Sequence, residues 1–382
     1  MKILQVIPFF YPVVTGGVTY TVNLSQNLIR RGHQADIMTI NTENAEREGI
    51  IAGNIRVYRC ALDFSWGKAA ISSELYRKLC QAKGYDVYHI HIPFALGLEA
   101  AIIASKANHI PLVATHHGEM QTGDRVNSMA ARMYNNLTRY VTLGWVDRLI
   151  FLTKSYSESL PMSTRTRNKI SIVRMGIDVN SFSPANDGSG LRQQYGFDKD
   201  TRVVLFVGAL DKDHRPKNVD YLIRAIRQVK SKNGHTKLVI IGGGGLIPEF
   251  EKLASDLDMK QDILFTGSVP YEKLPTYYAM CDIFVLPSSI ESFGLVIQEA
   301  MASGKPCIAC DLPGIKDSII NEKMGLKVPP KNEEALANAI LHLLANDNLR
   351  LEMGMKAREY VEEFSIAKFI DKMEGIYTEV TK

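Results

Sequence analysis

No apolar run in this 382-residue chain approaches the roughly 18 residues that a membrane-spanning helix needs, so no transmembrane segment is expected. The opening Met1-Lys-Ile-Leu-Gln-Val-Ile could pass for the start of a signal peptide. Pro8, Pro12 and Gly16-Gly17 interrupt it, and it reads better as a first strand and loop. Cysteine is scarce: Cys60, Cys80, Cys281, Cys307 and Cys310 make an odd set, mostly in apolar segments, which points to reduced thiols and a cytoplasmic protein. Cys307-Ile-Ala-Cys310 has the spacing of a redox or zinc pair, but no second pair follows and the segment has the character of a buried strand. Zinc-ligand spacing and interleaved stacking aromatics are missing, so nucleic acid is not expected as a partner. There is no G-x-G-x-x-G, which disfavours a dinucleotide cofactor. Repeats and low-complexity tracts are absent too.

What is present is ordinary for a soluble protein, with 46% hydrophobic and 23% charged residues, and the length predicts two domains. The net charge of +4 hides an asymmetry: residues 1–184 hold 20 Lys and Arg against 13 Asp and Glu, while the rest of the chain is slightly acidic. The excess gathers in Arg125, Arg132, Arg139, Arg148, Lys154, Arg165, Arg167, Lys169 and Arg174, opposed only by Asp147 and Glu158. Such a patch favours an anionic partner, and an anionic membrane surface fits it better than nucleic acid. Met129, Met133, Tyr134, Leu137 and Tyr140 are interleaved with it near helical spacing, which suits either core packing or a membrane-facing helix.

Short β-branched runs alternate with amphipathic stretches along the whole chain, the signature of parallel α/β sheets. Strands are predicted at Ile3–Ile7, Ala35–Thr39, Val87–Ile90, Leu112–Thr115 and Arg148–Leu152, with helices such as Val18–Arg31 and Ala95–Lys106 between them. Around Phe182-Ser-Pro184-Ala-Asn-Asp-Gly-Ser-Gly190 the periodicity stops, and Pro, Gly, Ser and Asn take over as in a linker. A second alternation follows: Val203–Val207, Lys237–Ile241, Ile263–Phe265, Ile283–Leu286 and Pro306–Ala309. The expected fold is α/β, two Rossmann-like domains across a cleft, with boundaries at 1–184 and 185–365. The stretch Asn332–Lys382 reads as almost wholly helical, and its end, 366–382, is expected to pack back on the first domain.

Glu291-Ser-Phe-Gly-Leu-Val-Ile-Gln-Glu299 sets two carboxylates eight positions apart, just over two helical turns. A helix opening at Phe293-Gly294 would leave the N–H groups of Gly294, Leu295 and Val296 free for an anionic phosphate. A carboxylate on each side of such a cradle suits a sugar nucleotide, whose hydroxyls flank its diphosphate. An ordinary amphipathic helix with two acids would show the same spacing. Two glycine loops leave strands: Gly16-Gly17 enters the first helix, and Gly242-Gly-Gly-Gly245 follows a strand of the second half, where missing side chains would permit close approach of a ligand. A plain strand–helix turn and simple flexibility are the competing readings.

Two histidine clusters, His89-Ile-His91 and His116-His117, end successive strands of the first half, where ligands bind in parallel sheets. Hydrogen-bonding, substrate contact by His117, and metal ligation all remain open there, although no carboxylate-histidine motif accompanies the clusters. Asp211-Lys-Asp213 has the D-x-D form of a divalent-ion site but reads as a solvated loop. Its cations Lys212, Arg215 and Lys217 are placed to meet a departing phosphate.

Taken in order, Gly16-Gly17, Gly32-His33, His89-x-His91, Thr115-x-His117-Gly118, Phe206-Val-Gly208, Gly242-x-Gly244, Phe265-Thr-Gly267, Pro287-Ser288, Glu291–Glu299 and Gly304-x-Pro306 resemble the retaining glycosyltransferases of family 4 nearly end to end. These have the GT-B architecture of the phosphatidylinositol mannosyltransferases and sucrose synthases, and include bacterial polysaccharide and lipopolysaccharide enzymes. The resemblance implies transfer of a hexosyl unit from a nucleoside-diphosphate sugar to a glycan or lipid-linked hydroxyl, with no metal and no further cofactor. Glu291 would hold hydroxyls of the donor sugar, and the Phe293-Gly294-Leu295-Val296 amides its diphosphate. Glu299 would take the ribose, Lys217 would neutralise the leaving phosphate, and Gly16 and Gly17 would approach it. His117 would contact the transferred sugar, with backbone near Val269 against the base. Where the family has a basic residue after the F-V-G glycine, this chain has Ala209, so Arg215 or His214 would have to replace it, or the clamp is weakened. Met175 stands where asparagine is common. A catalytically silent sugar-nucleotide binder and an epimerase or phosphorylase of the same architecture are the alternatives. The epimerases lack the full Glu291–Glu299 context, and the phosphorylases need a pyridoxal lysine on a much longer chain.

Overall fold

The structure, a computed structural model, describes residues 1–13, 15–43, 45–51, 54–66, 69–120 and 125–382. The chain divides into two compact units, residues 1–176 together with 366–382, and residues 177–365.

In the first unit the strands are β1 Lys2–Ile7, β2 Gln34–Asn41, β3 Glu48–Ile51, β4 Ile55–Ala61, β5 Phe64–Trp66, β6 Ala69–Ile71, β7 Val87–Ile92, β8 Leu112–His116, β9 Arg148–Phe151 and β10 Ile170–Ile172. Eight of them form one sheet in the order β10-β9-β8-β7-β1-β2-β4-β3, parallel except for β3, and β5 and β6 make a separate hairpin. The strand order reverses between β1 and β7, so the C-terminal ends of these neighbours flank a topological switch point, where ligands bind in such sheets. Alternation sends Leu4, Val6, Tyr88, Ile90 and Ala114 into the apolar core on one face. It sends Gln5, His89, His91 and Thr115 to the other, where all four are buried.

The second unit contains β11 Arg202–Val207, β12 Thr236–Ile241, β13 Ile263–Gly267, β14 Ile283–Leu286, β15 Cys307–Cys310 and β16 Gly325–Val328. All pair in parallel, in the order β13-β12-β11-β14-β15-β16. Helices cover both faces, which is why runs such as Val-Val-Leu-Phe are continuously apolar rather than alternating. The order reverses between β11 and β14, and the loops leaving those strands carry Lys217 and Glu291.

The expected boundary at 184 is displaced to 176. Ile177 pairs with Ser365 and donates its N–H to the Phe364 carbonyl, and Phe182 is buried in the core of the second unit. Arg358 ties the segment down through the carbonyls of Val179, Phe182 and Ala302. The composition that reads as a linker is packed structure: a Cβ on Gly188 would lie 2.3 Å from the Met280 nitrogen. The chain after 332 breaks into helices Glu333–Leu344, Asp347–Glu362 and Ile366–Val380, the first two N-capped by Asn332 and Asn346. The last belongs to the first unit, where Arg31 meets Asp371 and Glu374, and Phe369, Met373 and Tyr377 are buried.

Candidate functional site

At the switch point of the second unit, the loops after β11 and β14 are stitched together. Ser289 N–H donates to the Pro216 carbonyl (2.7 Å), and the buried Asn218 amide donates to the Pro287 carbonyl (2.9 Å). These bonds bring Lys217 Nζ to 2.6 Å from Glu291 Oε2, in a pair whose side chains are only 22% and 13% exposed. Gly314, in the short helix Pro313–Lys316 after β15, crosses so close that a Cβ there would lie 2.2 Å from the Glu291 carbonyl oxygen. Any side chain at 314 would therefore displace the acid.

Beyond Glu291 the helix runs Leu295–Ala302, and Gly294, at φ +71°, turns the chain into it. The first bonds of the helix go from Ile297 and Gln298 N–H to the Gly294 carbonyl, so the N–H groups of Gly294, Leu295 and Val296 have no partner among the described residues. Ser318 accepts from Gln298 (2.9 Å) and donates to the Phe293 carbonyl (3.3 Å), fixing the turn that aims these donors. Glu299 lies one turn on, on the buried side of the helix at 1% exposure, and accepts from Tyr278 at 2.8 Å and from Tyr271. Burial pushes its carboxyl up to about 7 against those bonds. A ribose reaching Glu299 must therefore compete with a tyrosine.

At two positions of the tetraglycine the chain itself fills the space a side chain would take, while Gly245 has nothing within 4 Å. At Gly242 a Cβ would fall 1.8 Å from the Gly208 carbonyl oxygen, and at Gly244 2.2 Å from the Leu210 carbonyl carbon. The close approach is made by the chain's own β11 loop, which also bonds Leu210 N–H to the Gly243 carbonyl. Val269 sits half-buried just after Gly267. Arg215 is engaged on the surface by Glu249 through two bonds of 3.0 and 2.7 Å, and the His214 side chain lies outside the described residues. Lys217 is thus the cation that faces Glu291, with Ala209 contributing none. Asp211 has partners of its own, the Asp213 side chain is outside the described residues, and no group of three metal-ligating side chains occurs among those described.

In the first unit, Gly16 and Gly17 open the helix Gly16–Arg30, and Thr15 Oγ1 caps it from Val18 N–H. A Cβ at Gly16 would meet nothing within 4 Å, in contrast to Gly242, so open space stands over this helix end. His117 is next to it: its ring would be 3.8 Å from a Cβ at Gly17. His117 Nε2 lies 3.0 Å from His91 Nδ1, and His91 Nε2 lies 2.9 Å from Gln5 Oε1. His89 joins Thr115 and Tyr377 at 2.7 Å each. Burial lowers His117 to about 4 and His89 to about 3. His91 and His117 form a hydrogen-bonded line with Gln5, against which the His89 ring packs, while His116 stacks on Phe151 apart from it; Gln5, a polar residue inside an apolar strand, was the visible signal of the line.

The remaining basic patch is smaller than its composition implies. Arg139 pairs with Glu119, Arg148 with Glu379, Arg165 lies over Trp145, and Lys169 is held by the Gly144 and Val146 carbonyls. The Arg125 side chain is outside the described residues. The apolar residues are not core: Met129, Met133, Leu137 and Tyr140 are 51–69% exposed on one face of helix Arg125–Tyr140, while Tyr134 turns inward to the Phe94 carbonyl.

Residues 14–181 match the model of the family described as Glycosyltransferase Family 4, and residues 189–360 that of Glycosyl transferases group 1. The chain belongs to the family 4 glycosyltransferases, of GT-B type. This glycosyltransferase is 28% identical to the D-inositol 3-phosphate glycosyltransferase of Corynebacterium glutamicum, over 96% of this chain and 92% of that one. Its fold is that of the sucrose-phosphate synthase of Thermosynechococcus elongatus, at a TM-score of 0.81 and 23% identity, covering 100% and 99% of the two chains. It is also that of Anabaena HepE in complex with UDP-glucose, at a TM-score of 0.79 and 20% identity, covering 99% and 100%.

Proposed function

We propose that this glycosyltransferase moves a hexosyl unit from a nucleoside-diphosphate sugar to a hydroxyl of a glycan or lipid-linked glycan, with retained anomeric configuration and no metal. The observation that carries the reading is the Lys217–Glu291 pair beside the open N-terminus of helix Leu295–Ala302, at the switch point of a parallel sheet. In the reaction the bond from the anomeric carbon to the diphosphate oxygen breaks, and the diphosphate leaves with the electron pair. The acceptor oxygen bonds to that carbon on the face the diphosphate leaves, and its proton passes to the departing phosphate oxygen. Charge grows on the leaving phosphate, where Lys217 and the Gly294–Val296 N–H groups stabilise it more than they stabilise the bound donor. Glu291 holds sugar hydroxyls, Glu299 the ribose, and His117 contacts the transferred sugar beside Gly16 and Gly17. The complex of Anabaena HepE with UDP-glucose supports a donor of this class.

One feature favours a catalytically silent binder instead: Ala209 lacks charge and Arg215 is taken up by Glu249. Incubation with labelled sugar nucleotides, with and without membrane lipids, tests the choice. Transfer to an acceptor is expected. Binding of donors, seen as a selective rise in melting temperature, with no turnover toward any acceptor would favour the silent binder.

A further inference from the structure

The buried face of the first sheet holds a line of hydrogen bonds whose direction is determined by its far end. Gln5 Nε2 donates to the Thr21 carbonyl (3.4 Å) and to Ser25 Oγ. A main-chain carbonyl can only accept, so the amide's NH₂ end faces helix Gly16–Arg30 and its Oε1 faces His91. Oε1 also can only accept, so the proton of His91 is on Nε2. His91 is 1% exposed and stands between His89 and His117, and burial keeps it neutral. A neutral imidazole has one N–H, which leaves His91 Nδ1 as an acceptor. His117 Nε2 must then be the donor across the 3.0 Å contact, and a neutral His117 carries no proton on Nδ1.

We propose that Gln5, acting through His91, holds His117 as the Nε2–H tautomer, so that His117 Nδ1 accepts a hydrogen bond from a hydroxyl of the transferred sugar. Gln5 and His91 are positioning residues in this scheme, and the scheme rests on the reading of His117 as a sugar contact. Both are sealed in place: Gln5 is fully buried, and the edge of Tyr20 packs on both His91 and His117. Phe369 of the terminal helix in turn backs Tyr20. The arrangement selects a donor whose sugar presents a hydroxyl hydrogen at this point, and discriminates against one that presents only an acceptor.

The test compares wild type, Gln5→Leu and Gln5→Glu by nitrogen NMR of the histidine rings in the donor-free protein, and by steady-state kinetics with a sugar nucleotide. Wild-type His91 and His117 should each show a protonated Nε2 and an unprotonated Nδ1. Gln5→Leu removes the acceptor and should mix the tautomers. Its kcat/KM should fall roughly tenfold, the size of one hydrogen bond, with the affinity for the free nucleoside diphosphate unchanged. Gln5→Glu, neutral in this fully buried place, still offers a carbonyl oxygen to His91 and an O–H to the Thr21 carbonyl, and should restore the wild-type tautomers and most of the activity, which a purely packing role for Gln5 would not do. A proton on His117 Nδ1 in wild type overturns the proposal, and this spectrum alone decides it if Gln5→Leu does not fold. Equal impairment of the two Gln5 variants also overturns it. If His117→Ala abolishes transfer while the tautomers are not as assigned, only this proposal fails. If the tautomers are as assigned but His117→Ala leaves kinetics untouched, the sugar contact fails and takes the proposal with it.

Discussion

Lys217 Nζ and Glu291 Oε2 are 2.6 Å apart, so the cation proposed for the leaving phosphate and the acid proposed for the sugar neutralise each other before any donor is present. The pair is only partly exposed, and removing either partner strands the other's charge in a poorly solvated loop. On the proposed function, donor binding replaces this contact with phosphate at one end and sugar hydroxyls at the other. Lys217 and Glu291 are therefore expected to be coupled in a double-mutant cycle.

Glu291→Ala and Glu299→Ala should each lower kcat/KM by one to two decades, since a hydrogen bond to a charged group is worth about 1.5–3 kcal/mol. Glu291→Ala should weaken sugar-bearing ligands while sparing the free nucleoside diphosphate. Glu299→Ala should weaken both. Calorimetric titration of the two ligands against each variant separates these patterns, and nucleotide affinity unaffected by Glu299→Ala would reject the ribose contact.

Acidification should act on the two units with opposite sign. His89 and His116 are lowered by burial to about 3 and His117 to about 4, from the ordinary 6.5. Below pH 6.5 the unfolded first unit binds protons that the folded one does not. Its stability is complete above that pH and is lost toward pH 4, by roughly 1.4 kcal/mol per pH unit for each histidine. Glu299 is raised from 4.5 to about 7, so its contribution is complete below 4.5 and is lost as pH rises through 7. From pH 6.5 down to 4.5, amide protection (exchange corrected for its intrinsic pH dependence) should fall in the first unit and rise around Glu299 in the second. A change in the same direction in both would contradict these assignments.

Turnover should survive EDTA. The phosphate charge is assigned to Lys217 and the helix N–H groups, and a complete loss of activity restored by Mg²⁺ or Mn²⁺ would show that this is insufficient.

Cosedimentation with vesicles should depend on the exposed face of helix Arg125–Tyr140 more than on its arginines, because Arg139 and Arg148 already have acidic partners. Met129→Ser with Met133→Ser should reduce binding to anionic vesicles several-fold. Added salt should reduce it further, since the exposed Arg132 still acts through screened charge. No binding to any vesicle would leave a soluble acceptor.

Much of this protein could be read from one dimension. Strands buried on both faces of an apolar core are apolar almost without interruption, so β11 and β14 are visible as runs; β1 and β7 are visible from their β-branched residues although Gln5, His89 and His91 interrupt them, and the helix start at Gly294 follows from a glycine after a strand. Three of the edge strands, β3, β10 and β16, were not visible, because they are short, half-buried and carry mixed residues; the interior strand β4 was missed as well, since Arg56 and Arg59 break up its apolar pattern. Composition misled where packing overrode it: the segment around Gly188 looks like a flexible linker, yet the backbone of Met280 lies where a side chain at 188 would go. Only the folded chain could join residues 74 positions apart into the Lys217–Glu291 pair, or align Gln5, His91 and His117 from three strand ends. The sequence by itself determined which chemical groups the chain has and the periodicity that makes them strands and helices, because both are local. Which of those groups face one another was decided by sheet order and register, which are set by long-range packing and have no local trace.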